Sequence, residues 1–288
     1  MNVNFEREKQ WWDAKAPKEA RDLSDEAINR ALRWREIERH LDDIETILCV
    51  GAGTGAFSIP LAERGFSVTH LDFSPQMLKI ARDNAQGADH IRFVEANATD
   101  LSAFRDHSFD LVLNTDGAIS FSGSEAEKAI LESCRLTGKK LILTVTHRAL
   151  MIAVHCSVGL QESGRFTDAL FAMWEEGVWH QQQFPDNPLL SKGMTQDYCG
   201  ALKAFLPDEL SGILERAGMR VLRCGGLGSL ALLCGQEMVQ LVLKDEHLFE
   251  QFVDLCQRFD QEILPNGPGT RQRAGLIAVA EPKGTEKH

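Results

Sequence analysis

The 288-residue chain is 43% hydrophobic, 25% charged and carries a formal net charge of −11. This excludes an unfolded polar chain and argues against a nucleic-acid surface, which needs clustered Lys and Arg to neutralise phosphates. Seven cysteines with neither C-x-x-C nor zinc spacing point to reduced thiols and no metal site. No apolar leader opens the sequence and no run reaches membrane length, so the expectation is a cytoplasmic protein without membrane or nucleic-acid partners.

In chain order, residues 1–45 form a helical extension in which Leu32, Ile37 and Leu41 recur at helical spacing, with a boundary near Ser24 and Glu26. From 46 to 147, strand-like runs alternate with helical segments. The runs are Thr46 to Val50, Ser67 to Leu71, Ile91 to Val94, Phe109 to Leu113 and Lys140 to Val145; Ser74-Pro75 and Ser124 are the expected helix caps. Residues 148–206 break the rhythm with two helix-like stretches and a polar loop, read as a helical lid or substrate-pocket wall. Residues 207–288 resume it: a helix from Pro207 to Gly218, a strand from Arg220, a helical stretch around Leu241 to Leu264, and a last strand from Gly275. This order predicts an α/β, Rossmann-like doubly wound fold with a mainly parallel seven-stranded sheet and ligands at the carboxyl ends of the strands.

Gly51, Gly53 and Gly55 lie between the first strand and a helix, where the backbone can approach a ligand without side-chain obstruction. Read as G-x-G-x-x-A with Asp72 downstream, the turn fits a dinucleotide fingerprint, and by itself leaves a nicotinamide-dependent dehydrogenase open. The surrounding text separates the cofactors. V-G-A-G-T-G-A-F-S, L-D-F-S-P-Q-M-L-K-I-A-R (Leu71 to Arg82), E-A-N-A-T-D-L (Glu95 to Leu101), S-F-D-L-V-L (Ser108 to Leu113) and R-L-T-G-K-K-L-I-L-T-V (Arg135 to Val145) resemble, in register, the successive motifs of class I S-adenosylmethionine-dependent methyltransferases.

The resemblance implies S-adenosylmethionine as cofactor and a role for each matching position. Gly51, Ala52 and Gly53 would offer backbone to the methionine and ribose portions, and Asp72 would accept the ribose hydroxyls. Phe73 and Met77 would pack on adenine, Asn97 and Ala98 would read its edge, and Asn114 and Thr115 would lie beneath the sulfonium. Met77 also fits a core position and Asn97 a turn cap. Three departures stand out: Cys49 occupies the place of an acid before the turn, Asn97 replaces another acid, and Thr137-Gly138-Lys139 replaces a Pro-Gly-Gly turn.

For the methyl acceptor, the candidate bases are His147 or Asp116 at strand ends, with His155, His180 and Tyr198 further along; each histidine also fits an ordinary hydrogen-bonded polar residue. Trp12, beside Trp11, resembles an aromatic opening that in related methyltransferases folds over the cofactor, and equally fits a core staple. Met151, Phe166, Phe171, Met173, Trp174, Trp179 and Phe184 give the insertion an apolar inventory suited to a small-molecule acceptor. The protein is expected to act as a monomer or homodimer. A methyltransferase-fold partner subunit without catalysis is the remaining alternative.

Overall fold

A computed structural model of the protein describes residues 3–19, 27–115, 117–180, 201–269 and 274–284. Its centre is a sheet in which β3 (Ile91–Glu95), β2 (Ser67–Asp72), β1 (Thr46–Val50), β4 (Phe109–Asn114) and β5 (Thr137–His147) run parallel in that spatial order. β9 (Leu276–Pro282) pairs antiparallel with β5, and β8 (Met219–Gly226) with β9, which completes the expected seven strands. These strands read as near-continuous apolar runs because both faces are covered.

Alternate residues of each strand feed opposite layers, as the period of two requires. Leu48, Val50, Val112, Leu141 and Leu143 pack against α5 (Ala126–Leu136) and α8 (Pro207–Arg216). Ile47, Cys49, Leu111, Leu113 and Ile142 face α2 (Ala27–Glu38), α3 (Ser58–Glu63) and the C-terminal helices α9 (Ser229–Cys234), α10 (Gln236–Val242) and α11 (Glu246–Arg258). α2 is fastened to the sheet by polar contacts as well: Arg33 donates to the carbonyl of Thr115 at 2.6 Å, and Asn29 donates to that of Ala274 at 3.0 Å.

Residues 148–206 differ from the helical expectation. After α6 (Arg148–Ser163) and α7 (Asp168–Glu175), the chain forms β6 (Val178–His180) and β7 (Ala201–Phe205), an antiparallel pair whose β7 extends the sheet beside the last residues of β5. The apolar text Ala201 to Phe205 was too short to declare its partner, which lies far off in sequence.

Two local expectations are corrected or sharpened. Ser74 caps α4 (Pro75–Asn84), its Oγ accepting from the Met77 N–H at 3.1 Å, but Ser124 lies inside a 3-10 turn (Ser120–Glu125), and α5 starts after Glu125 without a side-chain cap. Thr137-Gly138-Lys139 is no loop: α5 runs straight into β5, with Thr137 Oγ1 donating back to the Ser133 carbonyl at 2.7 Å. Ser24 and Glu26 lie outside the described residues. Among the described residues, no helix is long and apolar enough to cross a membrane.

Candidate active site

The carboxyl ends of β1, β2, β3 and β4 lie side by side, and the loops leaving them surround a cavity enclosing about 890 Å³ of empty space, part of it open to solvent. Gly51 and Gly53 adopt φ of +62° and +57°, left-handed values that favour glycine. A Cβ on Gly51 would come within 2.5 Å of the Ala118 Cβ, so the turn packs directly on the loop that follows β4. A Cβ on Gly53 would meet nothing within 4 Å, because that residue faces the cavity.

Asp72 ends β2 and is 5% exposed. One carboxylate oxygen accepts the Gly53 N–H at 2.9 Å, and the other accepts the Ser74 N–H at 2.9 Å. The side chain therefore ties the glycine turn to the start of α4 while lining the cavity. Phe73, Met77, Asn97 and Ala98 line it too, with Gly51 and Ala52. Asn97 Oδ1 accepts the Thr99 N–H at 3.1 Å, so the turn-capping role and a cavity-facing position coexist in one side chain.

α1 (Phe5–Glu19) lies across the cavity. Phe5, Glu8 and Trp12, spaced at three and four residues, present one helical face to it. Trp12 meets Phe121 edge-on, ring centroids 5.1 Å apart, and Trp11 at 4.7 Å. The helix is latched by Asp13, whose carboxylate accepts from Ser74 Oγ at 2.5 Å and the Gln76 N–H at 3.2 Å at the positive end of α4, and by a Lys9–Glu95 ion pair at 2.5 Å.

Other sequence candidates lie elsewhere. Asn114 is fully buried and its amide donates to Ser133 Oγ on α5 at 3.2 Å, so it serves the core side of β4. Thr115 lines a smaller neighbouring cavity that shares Gly51 and Ala52. His147 is the N-cap of α6: Nδ1 accepts the Ala149 N–H at 3.2 Å and Nε2 is 3.2 Å from the Asn266 carbonyl. Both nitrogens are engaged and the ring lines a separate groove with Pro207 and Asn266, so the expectation that it acts as base at the cavity is corrected. Burial holds its pKa below the ordinary value. Asp116, Tyr198 and Phe184 lie outside the described residues, as does the side chain of His180. His155 is buried away from the cavity.

Among the described residues, the insertion's aromatics do not line the cavity either. Met151, Met173 and Trp179 are buried in a cluster with Trp11, Trp12 and Met77, where they support α1 from behind; Phe166, Phe171 and Trp174 are exposed.

A glycine backbone open to the cavity, a carboxylate at the end of the second strand and apolar side chains beside it fit an adenosyl cofactor. Residues 48–142 match the methyltransferase-domain family. Residues 48–142 thus carry a methyltransferase domain, about a third of the chain. A demethylmenaquinone methyltransferase of Clavibacter sepedonicus is 48% identical over 68 residues, 24% of this chain and 27% of that protein. A putative ribosomal RNA large subunit methyltransferase of Methanocaldococcus jannaschii is 28% identical over 172 residues, 55% of this chain and 43% of its own. The chain spans about half or less of the length of the curated relatives it matches. A S-adenosylmethionine-dependent methyltransferase structure from Methanosarcina mazei has the same fold: TM-score 0.55 at 18% identity, covering 86% of this chain and 96% of that one. The nicotinamide reading, which rested on the glycine turn and Asp72, gives way to this match.

In this chain the place of the acid before the turn is vacated. Cys49 sits in the core, its thiol pushed up to about 12 by burial, so it contributes no charge. The turn is ordered instead by Asp72 on Gly53 and by the Ala52 N–H, which donates to the Leu71 carbonyl at 2.9 Å. Sequence reasoning missed Phe5, Glu8, Phe121 and Ala118. The first two were findable, since they share the helical spacing of Trp12; the other two depend on where the loop after β4 folds.

Proposed function

We propose that the protein transfers the methyl group of S-adenosylmethionine to a small organic acceptor. The observation that carries this reading is the buried Asp72 carboxylate, hydrogen-bonded to the glycine turn and lining a cavity roofed by an aromatic helix. Bound there, S-adenosylmethionine supplies a methyl group on a sulfonium leaving group. The chain's own part is to bind and orient. Asp72 accepts the ribose hydroxyls, the amide nitrogen of Asn97 donates to the adenine edge, and Phe73 and Met77 flank the base. Trp12 and α1 close the site against water.

A small acceptor is favoured by the helix roof and by the net charge of −11, which opposes a polyanionic substrate. The demethylmenaquinone relative is named for a small-molecule acceptor, the ribosomal relative for RNA. One chain supplies every residue named here, so the reading holds for a monomer or a homodimer. Calorimetry with S-adenosylhomocysteine tests it: a dissociation constant of about 1–100 μM is expected, and the absence of any binding heat or thermal shift overturns it.

A further inference from the structure

Glu8 lies on the cavity-facing side of α1, and the cofactor reading does not use it. It is 3% exposed, and neither carboxylate oxygen has a hydrogen-bond partner among the described residues. The backbone N–H of Ala201 on β7 acts on it without meeting hydrogen-bond geometry. Phe5, Trp12 and Phe121 line the same cavity. Among the described residues, the other charged groups lining the cavity are Glu19 on α1, Arg30 on α2 and Asp72 on β2, and none of them offsets the burial of Glu8. An unpaired carboxylate among aromatic rings is an expensive arrangement unless something in the cavity compensates it.

We infer that the end of the cavity bounded by Phe5, Glu8, Trp12 and Phe121 takes the methyl acceptor as an organic ammonium ion, with Glu8 as its counter-ion. This rests on the methyltransferase reading of the same site. A cation restores the favourable interaction that burial removed, and aromatic faces attract the same charge. A neutral hydroxyl offers neither. Burial pushes the Glu8 carboxyl up to about 8, so the empty site holds a neutral acid at pH 7 and ionises as the ammonium enters, releasing one proton to solvent. An ammonium nitrogen has no lone pair until one N–H bond breaks. Glu8 is placed to take that proton: the N–H bond pair stays on nitrogen as a lone pair, and an O–H bond forms on the carboxylate.

The test uses the full chain saturated with S-adenosylhomocysteine, titrated with 2-phenylethylamine and with its neutral counterpart 2-phenylethanol between pH 6 and pH 8. The amine should bind at least tenfold tighter than the alcohol at pH 8. Its apparent affinity should rise about fifty-fold from pH 6 to pH 8, following ionisation of a group titrating near 8. Glu8→Gln should bind S-adenosylhomocysteine as before, yet show a weak and pH-independent response to the amine. The inference is overturned by an amine that binds no tighter than the alcohol, by no amine binding up to about 10 mM, or by a pH dependence that survives in Glu8→Gln. Failure to bind S-adenosylhomocysteine at all would instead remove the reading beneath it.

Discussion

Replacing Asp72 should separate cofactor binding from the integrity of the turn. The carboxylate accepts two backbone N–H bonds, from Gly53 and Ser74, both at 2.9 Å in a nearly dry setting. Each carboxylate oxygen can accept a second bond, which is where two ribose hydroxyls would dock. Hydrogen bonds to a charged group contribute about 1.5–3 kcal/mol each, so losing two of them to the cofactor costs about 3–6 kcal/mol, or about a hundred- to ten-thousand-fold in affinity. Asp72→Asn keeps the shape but turns one acceptor into a donor facing a backbone N–H, a stability loss of about 1–3 kcal/mol. Asp72→Ala strands both N–H groups and should lose somewhat more. The assay is calorimetry with S-adenosylhomocysteine, paired with urea unfolding at the same temperature. Stability losses of this size accompanied by a dissociation constant within threefold of the wild type would refute the ribose role and leave Asp72 a purely structural clamp.

Gly53→Ala should cost only about 1–2 kcal/mol for its left-handed backbone, because the added Cβ meets no protein atom. It should weaken S-adenosylhomocysteine at least tenfold, and unchanged affinity would show that the cofactor backbone passes elsewhere. Asp13→Ala removes the latch between α1 and the start of α4. Loss of about 1–2 kcal/mol of charge-assisted bonding there should weaken cofactor binding about five- to thirty-fold and speed amide exchange in α1; exchange that stays as slow as in the wild type would argue that the aromatic contacts suffice. His155 and His70 are buried, with burial lowering each pKa to about 4 from the ordinary 6.5. The unfolded chain protonates first, so stability is full above about 6.5 and falls toward pH 4, by up to about 3 kcal/mol per histidine. His155→Leu should flatten that acid loss in pH-dependent urea unfolding, and an unaltered slope would count against it.

Much of this protein is legible in its sequence. Each parallel strand is a short apolar run because it is buried on both faces, and each strand end is marked by residues whose chemistry is local: Gly51 and Gly53 for left-handed backbone, Ser74-Pro75 for a helix start, Asp72 for a carboxylate that needs partners. Periodicity and capping act over a few residues, and a sequence displays them directly. The same locality explains why the sequence left two readings open at His147. A histidine at a strand end looked like a base, but the residue one position on begins a helix, so its ring became that helix's cap, with its other nitrogen near a carbonyl more than a hundred residues away.

The half of the cavity proposed for the cofactor was thus marked in the sequence, because its residues directly follow strand runs that the alternating rhythm displays. The other half was decided only in three dimensions. Phe121 reaches Trp12 because the loop after β4 folds under α1; Met173 and Trp179 became supports of that roof; and Glu8 became a buried, uncompensated carboxylate because β7 and α1 meet over it. Burial and charge compensation depend on which distant segments converge, and no spacing along the chain records that convergence.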